Sequence, residues 1–250
     1  MNYKEYGKGN PGTIILLHGG GLSWWSYRET AELLQSDYHV ILPILDGHAG
    51  SDRSFTTIED NAAEIISFIK SNLGGSVYLL GGLSLGAQVA LDVLSQQGDI
   101  CERAIIESTA VIPSKVTHAM IKPSLACSYG LIKQKRFARL QFRSLKIKDK
   151  LFDDYYRDTC AITKEDMTAF LQANTSYALK DSIKNTSADV RIYYGSREAR
   201  VVRRSAKKIK ETLPNAAVIE LKGMVHGDFS INHTEDYVRA IQQTAMNHKA

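Results

Sequence analysis

The chain is poor in the features that mark unusual scaffolds. It has three cysteines in 250 residues, Cys101, Cys127 and Cys160, with no CxxC pair and an odd count. That excludes a disulfide framework and a zinc knuckle and points to a reducing compartment, so a cytoplasmic location is expected. No run approaches the roughly 18 apolar residues of a membrane span, so no stable membrane insertion is expected. The first ten residues, MNYKEYGKGN, lack the apolar stretch of a signal peptide, and none is expected. No internal repeat or low-complexity tract occurs. A strong charge of one sign is missing too: the formal net charge of +4 is mild and gives no reason to expect a nucleic-acid partner. No cluster of His, Asp and Glu falls on one helix face, so neither a metal nor a cofactor is expected.

What is present is a long series of short apolar runs. With 44% hydrophobic residues, the chain suits one large α/β domain or a core with an insertion. The runs TIILLH (13–18), HVILPIL (39–45), SVYLLGG (76–82), RAIIEST (103–109), VRIYYG (190–195) and AVIELKG (217–223) are nearly continuously apolar. That is the pattern of parallel strands buried on both faces. Between them, residues 57–72, 85–95, 201–213 and 234–246 carry apolar side chains at helical spacing. The alternation reads as a doubly wound, mostly parallel α/β sheet, in which ligands bind beyond the carboxyl ends of the strands.

One connection breaks the rhythm. From Ile112 to Ala188 there is no strand candidate, only helix-like pieces such as 131–142 and 164–179. The expected organisation is a core of residues 1–111 and 189–250, with a helical cap at 112–188 inserted between two core strands. Residues 113–150 hold ten Lys/Arg and one acid, Asp149. This basic stretch reads as a solvated face, or else as a preference for anionic substrates or a membrane surface.

Residues 82–86, Gly-Leu-Ser-Leu-Gly, stand where a strand pattern gives way to a helix pattern. A serine on so sharp a turn has its hydroxyl exposed, and flanking glycines remove side chains that would clash. Ser84 is therefore the candidate nucleophile. It needs a base. Of the seven histidines (18, 39, 48, 118, 226, 233 and 248), His226 follows the last strand run in the loop GMVHGDFS. That loop should open at the same sheet edge as Ser84. The base in turn needs an orienting acid. Glu198 ends the strand segment VRIYYGSRE; Glu107, at the end of RAIIEST, is the rival, with Asp228 behind it. LLHGGG puts three glycines after a strand, where backbone amides can approach a ligand. The Gly20 and Leu85 amides are the candidate oxyanion donors. A phosphate-cradling loop is disfavoured, because neither G-x-x-x-x-G-K-[ST] nor G-x-G-x-x-G is present. Gly21, Trp24, Trp25, Tyr129 and Phe137 are assigned to the substrate pocket, with one of the two tryptophans expected to pack in the core, and His18 and His48 to loop structure.

HGGG, GLSLG, YGSRE and GMVHGD, in this order and spacing, resemble the α/β-hydrolase fold superfamily over nearly the whole chain. VILPILDGHAGSD (40–52) resembles that superfamily's loop after the strand, with Ile44 where Asp is frequent and Ala49 in place of a Gly. Glu198 stands where Asp is commoner. The resemblance implies Ser84, Glu198 and His226 as nucleophile, acid and base, Gly20 and Leu85 as oxyanion hole, and the insertion as cap. The implied activity is hydrolysis of an ester or related acyl bond of a small-molecule substrate. The same residues would also serve thioester, amide or C–C bond hydrolysis or acyl transfer. A non-catalytic binding protein and a membrane-associated lipase are the further alternatives. Oligomeric state is not legible.

Overall fold

The central strands form because both of their faces find cover. In the computed structural model, which describes residues 1–246, a seven-stranded sheet runs in the order β1-β3-β2-β4-β5-β6-β7. The strands are β1 (Tyr3–Tyr6), β2 (Thr13–Leu17), β3 (His39–Pro43), β4 (Val77–Leu83), β5 (Cys101–Glu107), β6 (Asp189–Gly195) and β7 (Ala217–Leu221). Only β1, against β3, is antiparallel. The six apolar runs read from the sequence are the six parallel strands. β1 escaped that reading: YKEY is short, polar and partly exposed at the sheet edge.

Alternation along β2 divides the interior into two cores. Ile15 and Leu17 join one with helices α2 (Ile58–Asn72) and α3 (Leu85–Gln96). Ile14 and Leu16 join the other with α1 (Arg28–Leu34) and the late helix α10 (Thr234–Met246). α2 starts where the sequence favours a start: the Thr57 hydroxyl accepts the Asp60 N–H at 3.0 Å, with Glu59 and Asp60 in the first turn.

Between β5 and β6 the chain builds α4 (Lys115–Ile132), α5 (Lys135–Leu145), α6 (Phe152–Ala161) and α7 (Lys164–Ser176). The segment 131–142 is not one helix, as its pattern suggested; the chain turns at Lys133 and Gln134 between α4 and α5. An edge-on and tilted cluster of Phe142, Phe152 and Tyr155 packs inside the insertion, and Arg139 covers the Phe152 ring at 3.6 Å. After β6 come α8 (Arg200–Thr212), β7, and the short α9 (Asp228–Asn232) that leads into α10.

The insertion is tied to the turn that follows the glycine loop by a buried polar contact. Trp25, 1% exposed, donates its indole N–H to Asp158 of α6 at 2.7 Å. Replacing Asp158 by Ala leaves that donor buried without a partner, which costs about 1–3 kcal/mol. Urea denaturation of Asp158→Ala should show a lower midpoint at an unchanged slope; an unchanged midpoint would mean the contact contributes nothing.

Candidate active site

The carboxyl edge of the sheet gathers the chemistry. The ladder continues one residue past three strands: Ser84 N–H donates to Glu107 O at 2.9 Å, Ser108 N–H to Tyr193 O at 2.9 Å, and Ser196 N–H to Leu221 O at 3.0 Å. Each strand therefore delivers its last residues to the same level.

Ser84 sits at φ 54°, ψ −110°, outside the regions that an L-residue normally adopts. Such a conformation costs about 1–3 kcal/mol and persists only where the surroundings impose it. Here the surroundings are backbone. A Cβ on Gly86 would lie 2.1 Å from the Leu17 carbonyl oxygen, and one on Gly82 would lie 2.4 Å from Gly86 O. The turn is packed so tightly that only glycine fits on either side. Ser84 itself is half-buried among buried neighbours, at the N-cap of α3. Its hydroxyl makes no hydrogen bond among the described residues, so none joins it to His226, although the two line one cavity. Such contacts are often loose before substrate binds.

His226 Nδ1 lies 2.9 Å from Glu198 Oε2. Glu198 is buried, and its Oε1 accepts the Ser108 hydroxyl and the Gly195 N–H, both at 2.8 Å. Burial would raise its pKa, but His226, the Gly195 amide and Ser108 outweigh it and hold the carboxyl below its usual range. Neither rival acid reaches His226. Asp228 is held by Asn232 at 2.7 Å. Glu107 lies underneath, 1% exposed, with Oε1 on the Ser230 N–H at 3.3 Å and Oε2 unpartnered. Burial, chiefly, pushes the Glu107 carboxyl up to about 7. The other histidines have different partners: His39 pairs with Glu5, His118 contacts Gln172 and Ser176, and His233 lies near Asp228 and Asp236. His248 lies outside the described residues.

On the opposite wall, the amides of Gly20 and Leu85 donate to nothing among the described residues. Two buried imidazoles staple the glycine loop. His18 Nδ1 donates to Gly19 O at 2.9 Å while its Nε2 accepts Leu45 N–H at 3.1 Å. His48 Nδ1 donates to Asp46 O at 3.0 Å while its Nε2 accepts Gly21 N–H at 3.1 Å. Burial lowers their pKa values to about 3 and about 4, so both are neutral with the proton on Nδ1. The Gly21 amide is thus already engaged, though Gly21 still lines the cavity.

The cavity holds about 540 Å³ and is bounded by Leu22, Ile132, Tyr155, Met167, Phe170 and Ile231. Of the aromatic residues assigned to it, none lines it. Trp24 lies outside, beneath Lys4 and Arg28 at 5.3 and 4.8 Å from its ring. Trp25 is fully engaged with Asp158 in the core. Tyr129 donates to Ile162 O at 2.8 Å and Phe137 is half-buried within the insertion. Composition could not tell which face of a surface helix these residues occupy. Sequence reasoning also missed Phe170, which stacks on His48 at 4.5 Å and packs over Gly20. It missed Ser108 as well, which at φ 53° joins Glu198 to the Gly227 N–H beside His226. Ser108 follows a strand as Ser84 does, and that position was the available signal. Among the described residues no three His, Cys, Asp or Glu side chains are grouped to hold a metal ion.

A sequence model described as the alpha/beta hydrolase family matches residues 14–240. A curated relative, an "AB hydrolase superfamily protein" of Gibberella zeae, is 29% identical over 149 residues, which is 56% of this chain and 49% of that protein. A soluble epoxide hydrolase of Corynebacterium sp. is 30% identical over 107 residues, 42% of this chain and 37% of that one. The chain thus aligns with half or less of the length of these relatives. Among solved structures, a thermophilic esterase from Thermogutta terrifontis superposes with a TM-score of 0.79 over 98% of this chain and 93% of that one, at 18% identity; the likeness is one of fold.

The raised pKa of Glu107 has a consequence for stability. Between about 4.5 and about 7 the folded chain holds a proton that the unfolded chain has released. Stability contributed by this site is present below that window and is lost as pH rises through it. Glu107→Gln should flatten the fall in thermal midpoint across that range; a variant whose pH profile parallels the wild type would contradict the assignment.

Proposed function

We propose that this chain, which belongs to the alpha/beta hydrolase family over residues 14–240, is a serine hydrolase that cleaves a carboxylic ester through an acyl-enzyme. The observation that carries the reading is the Glu198–His226 pair, 2.9 Å apart, sharing a cavity with a strained, half-exposed Ser84. In the proposed sequence, Ser84 Oγ attacks the ester carbonyl and His226 takes its proton. Glu198, ionised, holds the ring tautomer and stabilises the imidazolium that forms. The oxyanion takes the free Gly20 and Leu85 amides, the second of them at the positive end of α3. The alcohol leaves with the proton from His226. Water activated by His226 then releases the acid from Ser84.

The chemistry of the intermediate separates this reading from the activity named for the epoxide hydrolase relative. A serine that opened an epoxide would be left as an alkyl ether, which activated water does not hydrolyse. A serine ester is hydrolysed readily, and oxyanion donors stabilise its tetrahedral intermediate. The mainly apolar cavity, lined by Phe170, Met167 and Ile132, supports an acyl group as the buried part of the substrate.

Two kinetic outcomes test the reading. On a series of p-nitrophenyl esters from acetate to laurate, Ser84→Ala should lose about a thousandfold or more in kcat. Turnover that survives the substitution would refute the nucleophile. Ser108→Ala, by loosening Glu198 and the His226 loop, should lower kcat about tenfold and leave KM nearly unchanged. An effect confined to KM would place Ser108 in substrate binding instead.

A further inference from the structure

α4 lies on the surface yet has two apolar faces. At about 100° per residue, Leu125 and Ile132 share one side of the helix, and both are buried. Val116, Met120, Pro123, Cys127 and Leu131 fall within an arc of about 80° on the other side. That side faces solvent: Val116 is 76% exposed, Met120 55% and Leu131 41%. An apolar stripe on a helix normally faces a core, and this one faces solvent. On α5, Leu140 is 66% exposed. Five of the nine large apolar side chains that stand exposed among the described residues belong to these two helices.

The charge around the stripe has one sign. Between Glu107 and Asp149 the chain contains no acid. Lys115, Lys122 and Lys133 line a single flank of α4, about 120–140° from the centre of the stripe. Among the described residues, Lys115, Lys122, Arg136, Arg143 and Lys146 have no carboxylate partner within ion-pair distance. Lys133 and Arg139 rest over the Tyr129 and Phe152 rings instead.

We propose that the outer face of α4 and α5 docks on an anionic lipid surface. The stripe enters the headgroup–acyl boundary, and the flanking lysines reach back to the lipid phosphates. The combination selects this occupant. A nucleic acid would neutralise the cations but leave the apolar stripe in water. A second copy of the chain would bring like charge against like charge. Among the described residues no helix is long and apolar enough to cross a membrane, so the contact is one of lying on the surface. α4 and α5 also supply Ile132, Gln141 and Leu145 to the cavity wall, Ile132 from the side of α4 opposite the stripe. The proposal does not rest on the hydrolase reading.

The stripe carries its own reporter. Cys127 is exposed, whereas Cys101 is buried. The full chain with Cys160→Ser, labelled at Cys127 with an environment-sensitive fluorophore, is mixed with vesicles of phosphatidylcholine alone or with phosphatidylglycerol. Sedimentation of unlabelled protein is followed in parallel. At low ionic strength, binding and a blue shift of the label are expected with the anionic vesicles only. Lys115→Gln with Lys122→Gln should weaken binding about fivefold per lysine. Val116→Ser with Met120→Ser should weaken it about tenfold or more. All four positions are exposed, and circular dichroism checks that each variant is folded. Failure to bind anionic vesicles at low salt would overturn the proposal. So would binding that leaves the label unshifted and ignores the serine variants, which would be adhesion to any polyanion. A lipid-free dimer abolished by Met120→Ser would overturn it in favour of a second copy.

Discussion

The backbone turn at Ser84 is the constraint on which the rest depends. β4 and α3 meet there at a distance that admits no side chain at Gly82 or Gly86, because the Leu17 carbonyl and the helix's own first turn occupy the space. The sheet must therefore hold β2 and β4 in fixed register before the serine can take its conformation. Once it does, the strain turns the hydroxyl away from the core and leaves the Leu85 amide free at the helix N-terminus. Burial of the two cores supplies the stability that opposes the strain.

The surrounding polar groups divide between charged and neutral by their environment. Glu198 stays ionised because three donors converge on it. Glu107, fully buried with one backbone amide on its carboxyl, has its pKa pushed up to about 7 instead. His18 and His48 are kept neutral by burial, and each joins the glycine loop to the segment after β3 through one donated and one accepted bond. One sheet edge thus presents an ionised carboxylate bonded to His226 at the cavity, with neutral imidazole staples and a carboxyl of raised pKa behind it.

Much of the fold was legible because parallel strands buried on both faces must be apolar throughout. β1 was not, since a four-residue edge strand needs no such pattern. α4 was not among the helices read from the sequence; it carries apolar residues on opposite faces, one turned inward and one outward. Within the site, Ser84, Glu198 and His226 could be named because each stands just past a strand, where topology assigns position. Ser108, Phe170 and the histidine staples act through contacts between segments far apart in sequence, and spacing carries no trace of those. Of Trp24 and Trp25, one packs in the core as expected, Trp25 on Asp158, but the other is a surface partner of two cations rather than a pocket residue.

The central claim is that Ser84 becomes covalently acylated during turnover. The most direct measurement mixes the protein with an excess of a p-nitrophenyl ester, quenches in acid within the first turnovers, and maps the peptides by mass spectrometry. The account predicts a burst of p-nitrophenol approaching one equivalent, and the mass of the acyl group on the peptide that contains Ser84 and on no other. Hydrolysis that proceeds with neither burst nor adduct, or an adduct on another residue, would contradict it.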